Sequence, residues 1–115
     1  MEARDAALGE PFEAHVEHRE DAIVLRLTGV LGSESEDRFM RGLDQLGFDH
    51  GRRVVADLEG LTFIDSAGLR LILETRARCE REGLGFAIVP GKGQVARAFE
   101  IAGLAEQLDT VDGVG

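Results

Sequence analysis

The chain has few cysteines, few lysines and no long apolar run, and each shortage excludes a class of protein. The single cysteine, Cys79, rules out an internal disulfide and is typical of a protein of the reducing cytoplasm. No apolar run approaches the roughly 18 residues that a membrane span needs, and residues 1–5 lack the basic and apolar regions of a signal peptide. We therefore expect a cytoplasmic protein that does not insert directly into a membrane.

Positive charge is scarce as well. The chain has 13 basic and 22 acidic residues, a formal net charge of −9, and Lys92 is its one lysine. Proteins that bind a nucleic-acid backbone depend on clustered Lys and Arg, so we expect no nucleic-acid partner. The acidity has two interpretations: it keeps the protein soluble, or it favours a basic protein surface as the partner.

At 115 residues, with 43% hydrophobic and 30% charged residues, the chain has the length and composition of one soluble globular domain. Residues 1–10 are polar, small and unpatterned, so we interpret them as a flexible N-terminal tail. Residues 11–115 are interpreted as a single domain.

Strand periodicity opens this domain. Apolar residues alternate with polar ones over residues 12–16 and again over residues 23–27, which predicts two antiparallel strands joined through residues 19–21. Ser33 and Glu36 have the spacing of a capping box, which predicts a helix that starts at Ser33 and stops at Gly47.

The remaining chain alternates strands with helices. The patterns predict buried strands over residues 54–58 and 84–89, helices over residues 66–82 and about 95–102, and a short edge strand over residues 108–111. This order indicates an α/β fold. We expect a small sandwich whose mixed, mostly parallel sheet has four to five strands, an N-terminal antiparallel hairpin and three main helices packed against it.

The segment Leu61–Leu69, LTFIDSAGL, joins a buried strand to a helix and is the most informative part of the chain. Ser66 falls at the predicted helix start, where the first N–H groups lack partners and carry partial positive charge. A serine there can be a plain N-cap, or it can carry a phosphate that the helix start stabilises.

The sequence of this segment also resembles that of a known protein family. Over residues 54–69, the pairs Asp57-Leu58, Asp65-Ser66 and Gly68-Leu69 have the spacing of the phospho-switch segment of STAS domains, the fold of bacterial anti-sigma factor antagonists. Residues 86–104 are similar to the family too, so that the resemblance extends from about residue 12 to 111.

This resemblance implies a regulatory binding protein rather than an enzyme. In such antagonists, a serine kinase that is itself the anti-sigma factor phosphorylates the serine after the aspartate, which is Ser66 here. The unmodified chain would bind that kinase and release a sigma factor, and a phosphatase acting on phosphorylated Ser66 would restore binding. No cofactor is expected, because ATP belongs to the kinase.

The resemblance further implies a partner-binding surface around Ser66. Its expected members are Asp65, Ala67, Gly68, Leu69 and Arg70, together with the loop residues Leu31, Gly32 and Ser33. Many antagonists carry an acidic residue where this chain has Gly32.

Arg70 is a detail of this particular chain. It follows Ser66 by four residues and therefore projects from the same helix face. We hypothesise that Arg70 pairs with the phosphate on Ser66, and with an acidic partner group when Ser66 is unmodified. The alternative is a solvated surface arginine.

A second function stays open. Other STAS domains are constitutive subunits of larger assemblies, such as a phospholipid-trafficking ABC transporter or a stress-signalling complex, and there Ser66 would not be a switch.

Enzyme chemistry is not expected. Ser66 lacks the Gly-x-Ser-x-Gly elbow of a hydrolase, and nothing in the pattern brings His15, His18 or His50 to it. The carboxylates Asp57 and Asp65 without a His or Cys cluster are a weak metal signal, and no metal is expected.

Two further features suggest structural roles. Asp57 is expected to cap adjacent loop amides. The run Pro90–Gln94 lacks the hydroxyl residue that a phosphate-binding loop needs after its lysine, so we interpret it as a glycine-rich strand-to-helix turn.

Overall fold

The computed structural model of the protein describes residues 11–47 and 51–113. The predicted tail at residues 1–10, and His50, lie outside the described residues. The elements in chain order are β1 (Glu13–His18), β2 (Ala22–Leu31), a 3-10 turn (Ser33–Ser35), α1 (Glu36–Asp44), β3 (Arg53–Ile64), α2 (Ser66–Arg81), β4 (Phe86–Val89) and α3 (Gly93–Ile101).

The four strands form one sheet in the order β1-β2-β3-β4. β1 and β2 are antiparallel, and the pairs β2–β3 and β3–β4 are parallel. The predicted hairpin connection is confirmed, because the Arg19 N–H donates to the Ala22 carbonyl at 2.8 Å. The mixed, mostly parallel sheet and the three helices are confirmed too.

The expected final strand at residues 108–111 is wrong as a strand. In the described part of the chain this segment makes a single parallel bridge, between Thr110 and Ile88. The Ile88 N–H donates to the Asp109 carbonyl and its carbonyl accepts from Val111, both at 2.9 Å. The segment therefore touches the edge of β4 at one residue only.

Side-chain alternation gives the sheet two different faces. Ile23, Leu25 and Leu27 of β2 lie in the main core cluster, and all the buried apolar residues of the three described helices belong to the same cluster. The opposite face carries a small second cluster, formed by Ala22, Val55 and Val89. Each fully buried Leu or Ile contributes about 1.5–3 kcal/mol relative to exposure, so the helix-facing core supplies most of the apolar stabilisation.

A row of three hydrogen-bonded charged side chains crosses the opposite face of the sheet. The Asp57 side chain in β3 is only 8% exposed, and its Oδ2 accepts a hydrogen bond from Arg26 of β2 at 2.9 Å. Arg26 also donates to Glu17 of β1 at 2.9 Å. The other Asp57 oxygen accepts from the Glu59 N–H at 3.0 Å, which confirms that Asp57 holds an adjacent amide. Both oxygens of the buried carboxylate are thus satisfied.

β3 continues well past the predicted end at Leu58 and stops at Ile64. Its pairing with β2 shifts between Arg26 and Thr28 and again between Gly29 and Val30, so β3 carries an extra residue at each place. The exposed pair Glu59-Gly60 has the residue types of a turn, but the bulges accommodate the extra residues and the strand continues. A Cβ at Gly60 would lie 2.6 Å from the Thr28 side chain, so the close strand approach requires glycine there.

The start of the first helix differs from prediction by one cap position. Gly32, not Ser33, is the N-cap of the 3-10 turn that leads into α1. The Gly32 N–H donates to the buried Ser35 hydroxyl at 2.8 Å, so the reciprocal side chain is Ser35 rather than Glu36. The spacing of Ser33 and Glu36 fits a capping box, but the 3-10 turn shifts the motif towards the N-terminus.

Candidate functional site

Two chain segments meet where β2 and β3 end. These strands are parallel and Leu31 is paired with Ile64, so the loop after β2 and the turn after β3 lie side by side. The Asp65 N–H donates to the Leu31 carbonyl at 3.3 Å, which continues the strand pairing by one hydrogen bond. The sheet thereby places Gly32 and Ser33 beside Asp65 and Ser66.

Asp65 caps α2. It has extended backbone angles, and its Oδ1 accepts a hydrogen bond from the Gly68 N–H at 3.0 Å, the usual contact of an N-cap with the third helical residue. Ser66 is therefore the first helical residue and not the cap, so the plain N-cap interpretation of Ser66 is wrong. Ser66 is exposed, and no described residue hydrogen-bonds its hydroxyl.

Two glycines let the parts of this site approach closely. A Cβ at Gly68 would lie 2.3 Å from the Leu31 carbonyl oxygen and 2.6 Å from the Ile64 side chain, so the first turn of α2 packs directly on the strand ends. A Cβ at Gly32 would lie 2.6 Å from Asp65 Oδ2. Any side chain at position 32 would therefore meet the Asp65 carboxylate.

The expected partner-binding residues differ in accessibility. Leu31, Gly32 and Gly68 are buried, so they shape the surface from below. Asp65, Ala67 and Leu69 are half-buried, and Ser33, Ser66 and Arg70 are exposed.

Arg70 is exposed but already paired. Its guanidinium donates to Glu74 at 2.9 Å, one turn further along α2, and to Glu36 at the start of α1 at 3.5 Å. The hydrogen bond to Glu74, with a smaller contribution from Glu36, raises the pKa of Arg70 above its usual value. A phosphate on Ser66 would have to compete with these two carboxylates for Arg70.

Three residues at the site were not identified from the sequence. Phe63 lies in β3 three positions before Ser66 and is 43% exposed, although a large apolar side chain predicts burial. Glu36 was assigned only a capping role, although it reaches Arg70. Gln94 bonds the backbone of Ile64, and no local pattern predicts a contact between residues so distant in the sequence.

The other titratable groups lie in different surroundings. His15 contacts Glu13 at 3.3 Å and His18 contacts Arg52 at 3.4 Å. The described residues contain no group of three or more His, Cys, Asp or Glu side chains that could hold a metal ion. Burial raises the pKa of the Cys79 thiol to about 11, so it is protonated near neutral pH.

No helix in the described part of the chain is both long enough and apolar enough to cross a membrane.

The chain matches the model of the STAS domain family over residues 13–115 and belongs to that family. An anti-sigma factor antagonist from Mycobacterium paratuberculosis has the same fold, with a TM-score of 0.78 and 20% identity over 90% of this chain and 88% of that chain. The phosphorylated form of the Bacillus cell fate determinant SpoIIAA is also similar, with a TM-score of 0.62 and 19% identity over 88% and 91% of the two chains.

The same fold occurs within a larger protein. The murine anion transporter Slc26a9 matches with a TM-score of 0.59 and 16% identity, over 84% of this chain but 19% of the transporter chain. These likenesses confirm the expected STAS fold.

Proposed function

We propose that this protein is an anti-sigma factor antagonist whose binding to a serine-kinase anti-sigma factor is switched by phosphorylation of Ser66. The observation that carries the proposal is that the helix cap and the exposed serine at the start of α2 are two different residues. Asp65 makes the capping hydrogen bond to Gly68, and this leaves the exposed Ser66 hydroxyl available to a kinase.

A phosphate at this position would change binding more than folding. It adds about −1.5 to −2 charges and three strong acceptors beside the Asp65 carboxylate. The N-terminus of α2 partly compensates this charge, so the domain stays folded. In a contact with a partner, the same charge must be desolvated, and a loss of about 2.7 kcal/mol there lowers affinity roughly 100-fold.

The first test is intact-mass analysis of the purified protein after incubation with ATP and an extract of its native cells. We expect one added phosphate in the unmodified sequence and in Ser33→Ala, and none in Ser66→Ala. Ser33→Ala is the matched control because Ser33 is the exposed serine of the neighbouring loop.

Two results would contradict the proposal. One is a phosphate that persists in Ser66→Ala, and the other is no modification in extracts from several growth states. A phosphate lost in Ser33→Ala but kept in Ser66→Ala, an instance of the first result, would assign the acceptor to Ser33.

A second candidate function is a constitutive STAS subunit of a larger assembly, which the match inside a transporter favours. The variant Ser66→Glu distinguishes the two functions when its affinity for the binding partner is measured by calorimetry. A switch predicts that binding is abolished, whereas a constitutive subunit predicts that it changes little.

A further inference from the structure

Among the described residues, no strand lies beside the end of β3 on one side. β4 pairs with β3 only from Val54 to Asp57, whereas β3 continues to Ile64. The N–H of the next residue, Asp65, points towards β2 and donates to the Leu31 carbonyl. Successive residues of a strand direct their N–H and C=O groups to opposite sides, so those of Ile64 face the open side.

The side chain of Gln94 fills this gap. Its Oε1 accepts from the Ile64 N–H at 3.0 Å, and its Nε2 donates to the Ile64 carbonyl at 2.8 Å. A primary amide has one acceptor and one donor group side by side, which are the two groups that an adjacent strand would present. Gln94 thus takes the place of a longer β4 at the residue before Asp65.

The glycine-rich turn holds Gln94 in this position. A Cβ at Gly91 would lie 2.5 Å from the Val95 side chain and 3.2 Å from the Leu58 carbonyl oxygen, so the turn is pressed against β3. Gly93 has a φ of +56°, which other residues rarely adopt, and Gln94 follows it as the second residue of α3. The buried side chains of Val95 and Phe99 anchor this helix in the core.

We propose that Gln94 is a positioning residue for the Ser66 site, acting through Ile64 on the Asp65 cap. The significance of this role for regulation rests on the function proposed above. Ile64 immediately precedes Asp65, whose hydrogen bonds to Leu31 and Gly68 set the first turn of α2. The site is then held from β2 on one side and from α3 on the other.

Native-state hydrogen exchange of backbone amides, followed by NMR, tests this role without a kinase. In Gln94→Ala we expect the protection of the Ile64 and Gly68 amides to fall about tenfold more than that of the core amide of Leu25. The matched control is Val95→Ala, which alters the adjacent buried residue of α3 but keeps the amide. It should lower the protection of all three amides by the same factor.

The variant Gln94→Glu adds a readout that general destabilisation does not move. Its protonated carboxyl group can donate to the Ile64 carbonyl and accept from its N–H, as the amide does, whereas the ionised form cannot donate. Protection of the Ile64 and Gly68 amides should therefore recover as the pH falls through the pKa of the new carboxyl group, relative to the unmodified sequence.

Two results would overturn the proposal. One is equal loss of protection at Gly68 and Leu25 in Gln94→Ala, and the other is the absence of a pH-dependent recovery in Gln94→Glu. Since neither measurement involves phosphorylation, failure here is distinct from failure of the proposed switch.

Discussion

A side chain at position 32 would displace the Asp65 carboxylate, and a double-mutant cycle measures the coupling between the two positions. In Gly32→Ala the new Cβ would lie 2.6 Å from Asp65 Oδ2, well inside van der Waals contact. The backbone at Gly32 is extended, with φ −156° and ψ −164°, so alanine adds no backbone strain. The carboxylate must rotate, and rotation removes Oδ1 from the Gly68 N–H.

The expected cost of Gly32→Ala is that of losing an N-cap, about 1 kcal/mol. Asp65→Ala removes the same cap and should cost about the same. In the double variant the cap is lost only once, so we expect about 1 kcal/mol in total and a coupling energy of about 1 kcal/mol. With Asp65 already truncated, Gly32→Ala should be neutral or slightly stabilising, because it restricts the unfolded chain.

Urea unfolding followed by circular dichroism is the appropriate assay, because the chain has no Trp or Tyr for fluorescence. Gly85→Ala is the control, since a Cβ there would lie 3.5 Å from the Arg53 Cβ, an ordinary contact. We expect it to change the free energy of unfolding by less than about 0.5 kcal/mol. Additive effects of Gly32→Ala and Asp65→Ala would refute the reasoning.

Three further predictions concern ionisable groups. With phosphoserine installed at Ser66, the second phosphate pKa measured by ³¹P NMR should be about half a unit lower than in an Arg70→Ala background; an equal pKa would show that Arg70 stays with its carboxylates. Hydrogen bonds from Arg26 and then Arg19 lower the pKa of Glu17 below 4.5, so its stabilisation is present above that pH and is lost as the pH falls through the folded-state value. Glu17→Gln should weaken this acid dependence in urea unfolding, and an unchanged profile would contradict the assignment. Because burial raises the pKa of Cys79 from 9.0 to about 11, the unfolded chain loses its proton first; the free energy of unfolding should decline from pH 9 to 11, and a flat curve would argue against burial of the thiol.

The sequence predicted the elements whose signals are local. Alternation over residues 23–27 and the apolar run over residues 54–58 place strands correctly, and the Asp65-Ser66 pair places the start of α2 within one residue. Of the two interpretations of Ser66, only the plain N-cap is wrong, since aspartate and serine are comparable caps and only the fold shows which side chain reaches Gly68.

Features that depend on distant residues were not predictable in this way. The length of β3 depends on bulges that form only against β2, and Gln94 reaches Ile64 across 30 positions of sequence. The close approach of Gly32 to Asp65 likewise exists only because two parallel strands end together. Periodicity describes what each segment buries, but it carries no information about which loops become neighbours.

The ion pair between the half-buried Arg26 and the buried Asp57 has a consequence for strand register. A slip of β3 by one residue would turn its side chains to the opposite face and carry the carboxylate into the apolar core, away from its guanidinium. An uncompensated buried charge of this kind costs about 3–5 kcal/mol. The ion pair therefore fixes the register of β3 against β2 up to Asp57, and the two bulges that follow set how many further residues precede the exit of the chain at Asp65 and the exposed Ser66.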